Sequence, residues 1–176
     1  MKRSVLRWEL IGVIVISVLG TILHFAFEWS GEWAPLGAIS AVNESVWEHL
    51  KIGFWPALFY AILEYPFLKR FTNNFMIAKA AGICAIPVGI VVLFYSYTAA
   101  IGRHILVVDI LIFIIAIAVG QIISYRILVE HQLSRLLSKL GLALLLLLAV
   151  CFVLFTFFPP ELPIFRDPMI GTYGVR

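Results

Sequence analysis

A chain of 176 residues that is 62% hydrophobic and 13% charged, with a formal net charge of +3, has a mean hydropathy of +1.04, which removes it from the soluble class. There is no basic, aromatic-laced stripe to support nucleic-acid binding and no Gly-rich phosphate loop for a nucleotide. Cys84 and Cys151 fall inside apolar runs without Cys-x-x-Cys spacing, so both read as packing residues and neither a thiol relay nor a thiolate metal cage is indicated.

The composition predicts a single all-α domain over residues 1–176, an integral membrane five-helix transmembrane bundle whose first partner is the lipid bilayer. A span needs about 20 mainly apolar residues at a rise of about 1.5 Å each. Five segments qualify, residues 8–27, 46–68, 76–97, 105–128 and 140–158, with 159–176 left as an outer tail. With the N-terminus inside, Lys2, Arg3, Arg7, Lys69, Arg70, Lys79, Arg126, Arg135 and Lys139 lie on the inner side, against Lys51, Arg103, Arg166 and Arg176 on the outer. Basic residues stay in short cytoplasmic loops, so this distribution predicts N-in and C-out.

In the first span, Met1-Lys-Arg precedes an apolar run ending at Phe27, a pattern shared with signal peptides. The run is long for a leader and Glu28-Trp29 follows it with no small-x-small cleavage site, so it reads as a retained helix. Gly20, His24 and Glu28 fall four apart with Ser17 and Thr21 on the same side, a polar ridge that faces other helices rather than lipid. Trp29, Trp33 and Pro35 suit an interfacial turn.

The second span opens with Val42-Asn-Glu-Ser-Val-Trp-Glu-His-Leu-Lys51, the most polar stretch in the apolar part of the chain. Ser45-x-x-Glu48 has the form of a capping box, Asn43 is an equally good cap, and Glu44 and Glu48 complement the positive end of the helix dipole. Capping leaves His49 and Lys51 unexplained. On one continuous helix Glu44 and His49 would lie about 140° apart, so one of them should face the first span. Pro56 predicts a bend in this helix and Pro87, flanked by Gly82 and Gly89, a bend in the next. Glu64 and Lys69-Arg70 read as an ordinary interfacial exit.

The third span ends in Phe94-Tyr-Ser-Tyr-Thr98, where Tyr95 and Tyr97 fit an aromatic belt. The fourth starts after His104 and carries Asp109 on the line of a small-residue ridge, Ala116, Gly120 and Ser124. That ridge suits either packing within the bundle or a homodimer. The fifth is a leucine run that reads as a lipid-facing wall. The tail holds Ile164, Phe165, Met169, Ile170 and Tyr173 between Pro and Gly residues, which predicts that it folds back over the outer mouth.

Three of the four histidines, His24, His49 and His104, fall at the predicted outer end with Glu28, Glu44, Glu48 and Asp109. Ionisable groups at a span cost up to about 3 kcal/mol each on insertion scales, so they are functional candidates until a partner explains them. Imidazoles with carboxylates suit zinc or another divalent ion. The candidate site is therefore an outward-facing polar pocket of His24, Glu28, Glu44, Glu48, His49 and Asp109, supported by Asn43, Ser45, Lys51, Tyr95, Tyr97 and His104. It would bind a cation, with a divalent metal as the candidate cofactor, or a small polar ligand. The alternatives are a structural or accessory subunit, a metal-dependent intramembrane hydrolase and a small transporter. For transport the inner half offers little beyond Gln121, Ser124 and Tyr125. A Ser45–His49 nucleophile pair is disfavoured, because i,i+4 neighbours seldom aim at each other as activation requires.

Three motifs carry a resemblance over nearly the whole chain: Val42–Lys51, Phe94-Tyr-Ser-Tyr-Thr98 through His104 to Asp109, and Pro159-Pro…Phe165-Arg-Asp-Pro…Gly171-Thr-Tyr-Gly174. Together they resemble a family of small prokaryotic multi-pass membrane proteins of unknown function. The resemblance implies a place in the cytoplasmic membrane and weight on the outer motifs, and no particular activity. That family often has Gly where this chain has Ala99, which bears on the turn after the third span.

Overall fold

The computed structural model describes residues 2–175. Its helices are α1 (Lys2–Trp29), the short α2 (Ala34–Gly37), α3 (Val46–Leu68), α4 (Phe75–Ile101), α5 (Leu106–Leu128) and α6 (Arg135–Phe157), followed by a 3-10 turn, Pro163–Phe165. The fold is all-α. Four helices, α1, α4, α5 and α6, are long and apolar enough to cross a membrane, which makes this a multi-pass membrane protein. The fifth long helix, α3, has the bounds expected from sequence but carries Glu48, Lys51 and Glu64. Three other helices outrun their predicted spans, with α1 starting at Lys2, α4 running to Ile101 and α6 starting at Arg135. Apolar length sets the part in hydrocarbon, whereas a helix ends only where a cap or a breaker ends it.

Helices α1, α3, α4 and α5 form a closed ring in which each packs on the next and α5 returns to α1, while α6 docks on the outside of α4. The buried face of α1 is Val5, Glu9, Gly12, Ile16, Gly20 and Phe27. At about 100° per residue, Phe27 lies about 20° from Gly20 in projection and Glu28 about 80° away, so the stripe turns onto Phe27 and leaves Glu28 exposed. The small-residue ridge of α5 is spent inside the monomer. A Cβ on Gly120 would lie 2.6 Å from the Gly82 carbonyl oxygen, and one on Gly82 2.6 Å from that of Gly120, so only glycine lets α4 and α5 approach this closely. Exposed Ile14, Val88, Leu106, Leu146 and Val150 instead present apolar side chains outward. Pro56, Pro66 and Pro87 lie within helices that continue through them. The turn after α4 is made at Gly102, in the left-handed region at φ 80°, and Ala99 is still helical.

Both ends of the ring are tied by polar groups. At one, Asn74 is buried between loops: its amide nitrogen lies 2.9 Å from the His131 carbonyl and 3.1 Å from that of Ile127, and its oxygen accepts from Leu133 N at 2.8 Å. At the other, the tail folds back onto the start of α3. Asn43 Nδ2 donates to the Gly174 carbonyl (3.1 Å), Val175 N to the Thr156 carbonyl (3.1 Å) and Glu44 N to Asp167 Oδ2 (3.2 Å).

Candidate metal centre

Ser45 is the N-cap of α3, and its hydroxyl accepts from Glu48 N at 3.4 Å. The reciprocal half of a capping box does not form. Ser45 N donates to Asn43 Oδ1 (2.9 Å), and the Glu48 carboxylate turns inward, accepting from Val42 N (3.1 Å) and pairing with Lys51 Nζ (2.5 Å). Lys51 is fully buried and also donates to the Gly37 carbonyl and to Thr156 Oγ1, both at 2.7 Å. Thr156 Oγ1 lies 2.9 Å from Glu48 Oε1. Glu48 and Lys51 thus form a satisfied internal pair that fastens α3 to α6 and to the loop after α2. A buried pair of this kind is costly to break, about 3–5 kcal/mol when one partner is removed.

Glu44 precedes the cap, outside α3, so the helical angle between Glu44 and His49 does not apply and both side chains reach His24. His24 Nε2 and His49 Nε2 are 3.2 Å apart, and Glu44 Oε2 lies 3.5 Å from the second and 3.7 Å from the first. The nearest point equidistant from these three atoms lies in their plane at about 2.0 Å, and an ion lifted from that plane to tetrahedral angles would lie about 2.1 Å from each, within the range of zinc–nitrogen and zinc–oxygen bonds. Their side chains are 23%, 35% and 51% exposed in the order His24, His49, Glu44, so a fourth ligand has access.

The hydrogen bonds assign the tautomers. His49 Nδ1 lies 2.8 Å from the Ser45 carbonyl, which can only accept, so the proton is on Nδ1 and the Nε2 lone pair points at the triad. This is the outer hydrogen bond that orients a metal-binding histidine. Between the rings, His24 Nε2–H then donates to His49 Nε2. His24 Nδ1 is buried without a partner among the described residues, the less costly state for a lone pair than for a donor. Metal binding at His24 Nε2 requires its proton to leave that atom, whereas His49 is already set.

The remaining expected site residues lie elsewhere. Glu28 is exposed. Asp109 accepts from Tyr97 OH and lies 3.3 Å from His104 Nδ1, while Ile105 N donates to Tyr97 OH at 3.0 Å. That cluster closes the α4–α5 turn. Tyr95 is exposed and packs edge-on to Phe94.

The sequence reading missed a second polar site at the far end of the ring. Lys79, counted there as an inner-side loop cation, is 3% exposed and pairs with Glu9 and with Glu64, which are 2% and 0% exposed. The signal was present: Glu9 falls on the stripe of Val5, Gly12, Ile16 and Gly20.

Neither a curated protein nor a solved structure matches the chain. The profile of one family matches residues 1–175, in keeping with the resemblance carried by the three motifs. The chain belongs to that family, DUF6512, a family of unknown function.

Proposed function

We propose that the chain is a five-span protein of the cytoplasmic membrane, N-in and C-out, whose His24–Glu44–His49 triad binds a divalent cation at the outer face, zinc being the best match. The observation that carries this is the triangle of two imidazole nitrogens and one carboxylate oxygen with edges of 3.2, 3.5 and 3.7 Å. Those are the donor types and spacing of a tetrahedral zinc site with one corner open.

Two facts support a fifth span. Helix α3 runs antiparallel to α1 along its length, with His49 beside His24 at one end, and Tyr60 donating to the Trp8 carbonyl at 2.5 Å and Phe67 stacked on Trp8 toward the other. Its ionisable residues within the ring, Glu48, Lys51 and Glu64, are all in internal ion pairs, which offsets the cost that would keep them out of hydrocarbon. Removing buried Lys51 and Lys79 from the loop count leaves the bias in place: Lys2, Arg3, Arg7, Lys69, Arg70, Arg126, Arg135 and Lys139 against Arg103, Arg166 and Arg176.

Three protein ligands with an open corner is the arrangement of catalytic rather than structural zinc. The ion can therefore polarise a fourth ligand, water or a polar group of a substrate, at the membrane surface. Elemental analysis of the full chain purified without chelator tests the site. The expected result is about one divalent ion per chain, lost in His24→Ala and His49→Ala; equal metal in all three, or none in the wild type, would reject it. Reporters after Arg176 and in the loop between α5 and α6 test the spans, with opposite sides expected and the same side contradicting them.

A further inference from the structure

Far from the His triad, all four helices of the ring contribute to one enclosed polar site: Glu9 from α1, Glu64 and Tyr60 from α3, Lys79 from α4, and Gln121 and Ser124 from α5. Lys79 Nζ lies 2.6 Å from Glu9 Oε1 and also pairs with Glu64 Oε1. Ser124 Oγ donates to Glu9 Oε1 (3.0 Å), and Gln121 Nε2 to the Glu9 carbonyl (3.2 Å). The remaining side of the ammonium faces the Phe75 ring, 5.8 Å from its centroid. Tyr60, the other titratable group here, donates to the Trp8 carbonyl at 2.5 Å.

The charges do not balance. Two carboxylates face one ammonium, where the Glu48–Lys51 site matches one with one. Glu9 Oε2 and Glu64 Oε2 are buried and have no partner among the described residues. An unpaired charge in such a place costs several kcal/mol, so a further positive charge belongs to the site. A hard cation takes about six or more oxygen ligands, and the site offers two free carboxylate oxygens with an ammonium already between the carboxylates.

We propose that this site carries one bound proton, shared by Glu9 and Glu64, so that one carboxyl pairs with Lys79 and the other is a neutral acid. Because the site joins all four ring helices, loss of the proton places an uncompensated negative charge between them and loosens this end of the bundle. The site is therefore a buried proton-binding centre built independently of the metal triad.

Infrared spectroscopy of the purified full chain at neutral pH tests this through the carbonyl stretch of a protonated carboxyl. The expected spectrum contains such a band, shifted in heavy water and lost in both Glu64→Gln and Glu9→Gln, since each variant leaves one carboxylate matched to Lys79. In Lys79→Gln both carboxyls need a proton and the band should grow about twofold. Both glutamine variants keep the side-chain shape, so they stay informative if Lys79→Gln does not fold. A spectrum in which neither glutamine variant removes acid absorption would overturn the proposal. So would a wild type whose melting temperature is higher in sodium than in choline salts while Glu64→Gln shows no difference, which would assign the site to an alkali cation.

Discussion

The two polar sites on the α1–α3 pair differ most in their access to water. Glu9 and His24 are 15 residues apart on α1, and His49 and Glu64 are 15 apart on α3, so the sites stand about 22 Å apart along antiparallel helices. At the His end the ligands are part-exposed and one, Glu44, comes from a loop held by the tail. At the Glu end every charged group is enclosed, between four helices. An exposed cluster can gain and lose an ion without disturbing packing. An enclosed one cannot, because its charged groups hold three helices together through one shared ammonium, and substitutions should separate the two accordingly.

The largest effect on the fold is expected from Lys79→Met, which leaves two buried carboxyls without their cation and should cost about 3–5 kcal/mol. Thermal unfolding in detergent measures this. His49→Ala, at the part-exposed end, should cost far less; similar losses would erase the distinction between the sites. For metal affinity the order reverses. Loss of a ligating imidazole should weaken zinc binding by at least about 100-fold, beyond the 10–100-fold usual for outer-shell changes, whereas Glu9→Gln should leave it unchanged in the same titration.

Asp167→Ala sharpens the comparison through the tail. Asp167 Oδ1 accepts from Met169 N (2.7 Å) and Ile170 N (3.2 Å), and Oδ2 holds Glu44 N. Releasing Glu44 should weaken metal binding about tenfold, as outer-shell losses do, without moving the carboxyl band of the Glu end. Acidification acts on the His end with a definite sign. A protonated imidazole has no lone pair at Nε2, so protons compete with the ion for both nitrogens and binding should be weaker at about pH 5.5 than at about pH 7.5. Isothermal titration at the two values reads it directly. The smallest effect is expected from Ser45→Ala, which removes a cap of about 1 kcal/mol but keeps the carbonyl that orients His49. Glu28→Gln and Asp109→Asn, on groups outside the triad, should likewise leave metal binding unchanged.

Much of the fold was legible because apolar length and small-residue spacing are local signals. The bounds of α3 and the return of the tail could be read from the sequence, and so could the ridge of Ala116, Gly120 and Ser124, though not whether it packs within the monomer or against a second copy. The polar stretch at residues 42–51 was legible as special but not in its division of labour. Capping, a buried pair and a candidate ligand set share ten residues there, and only the chain direction before Ser45 decides that Glu44 reaches His24. Lys51 looked like a loose end because capping already claimed Glu48, three residues away, and its other partners, Gly37 and Thr156, are distant in sequence. The Glu end escaped for the same reason. Glu9, Glu64 and Lys79 come from three helices, and each alone resembles a residue at a span boundary. Burial of a carboxylate on the Gly12–Ile16–Gly20 stripe was the available clue.

The claim that most needs testing is that His24, Glu44 and His49 ligate one ion. Zinc-edge X-ray absorption of the loaded full chain measures that shell directly. Ligation by all three residues predicts four light-atom neighbours at about 2.0 Å with outer scattering from two imidazoles, falling to one imidazole in His49→Ala. A shell without imidazole scattering, or one unchanged by His49→Ala, would contradict it.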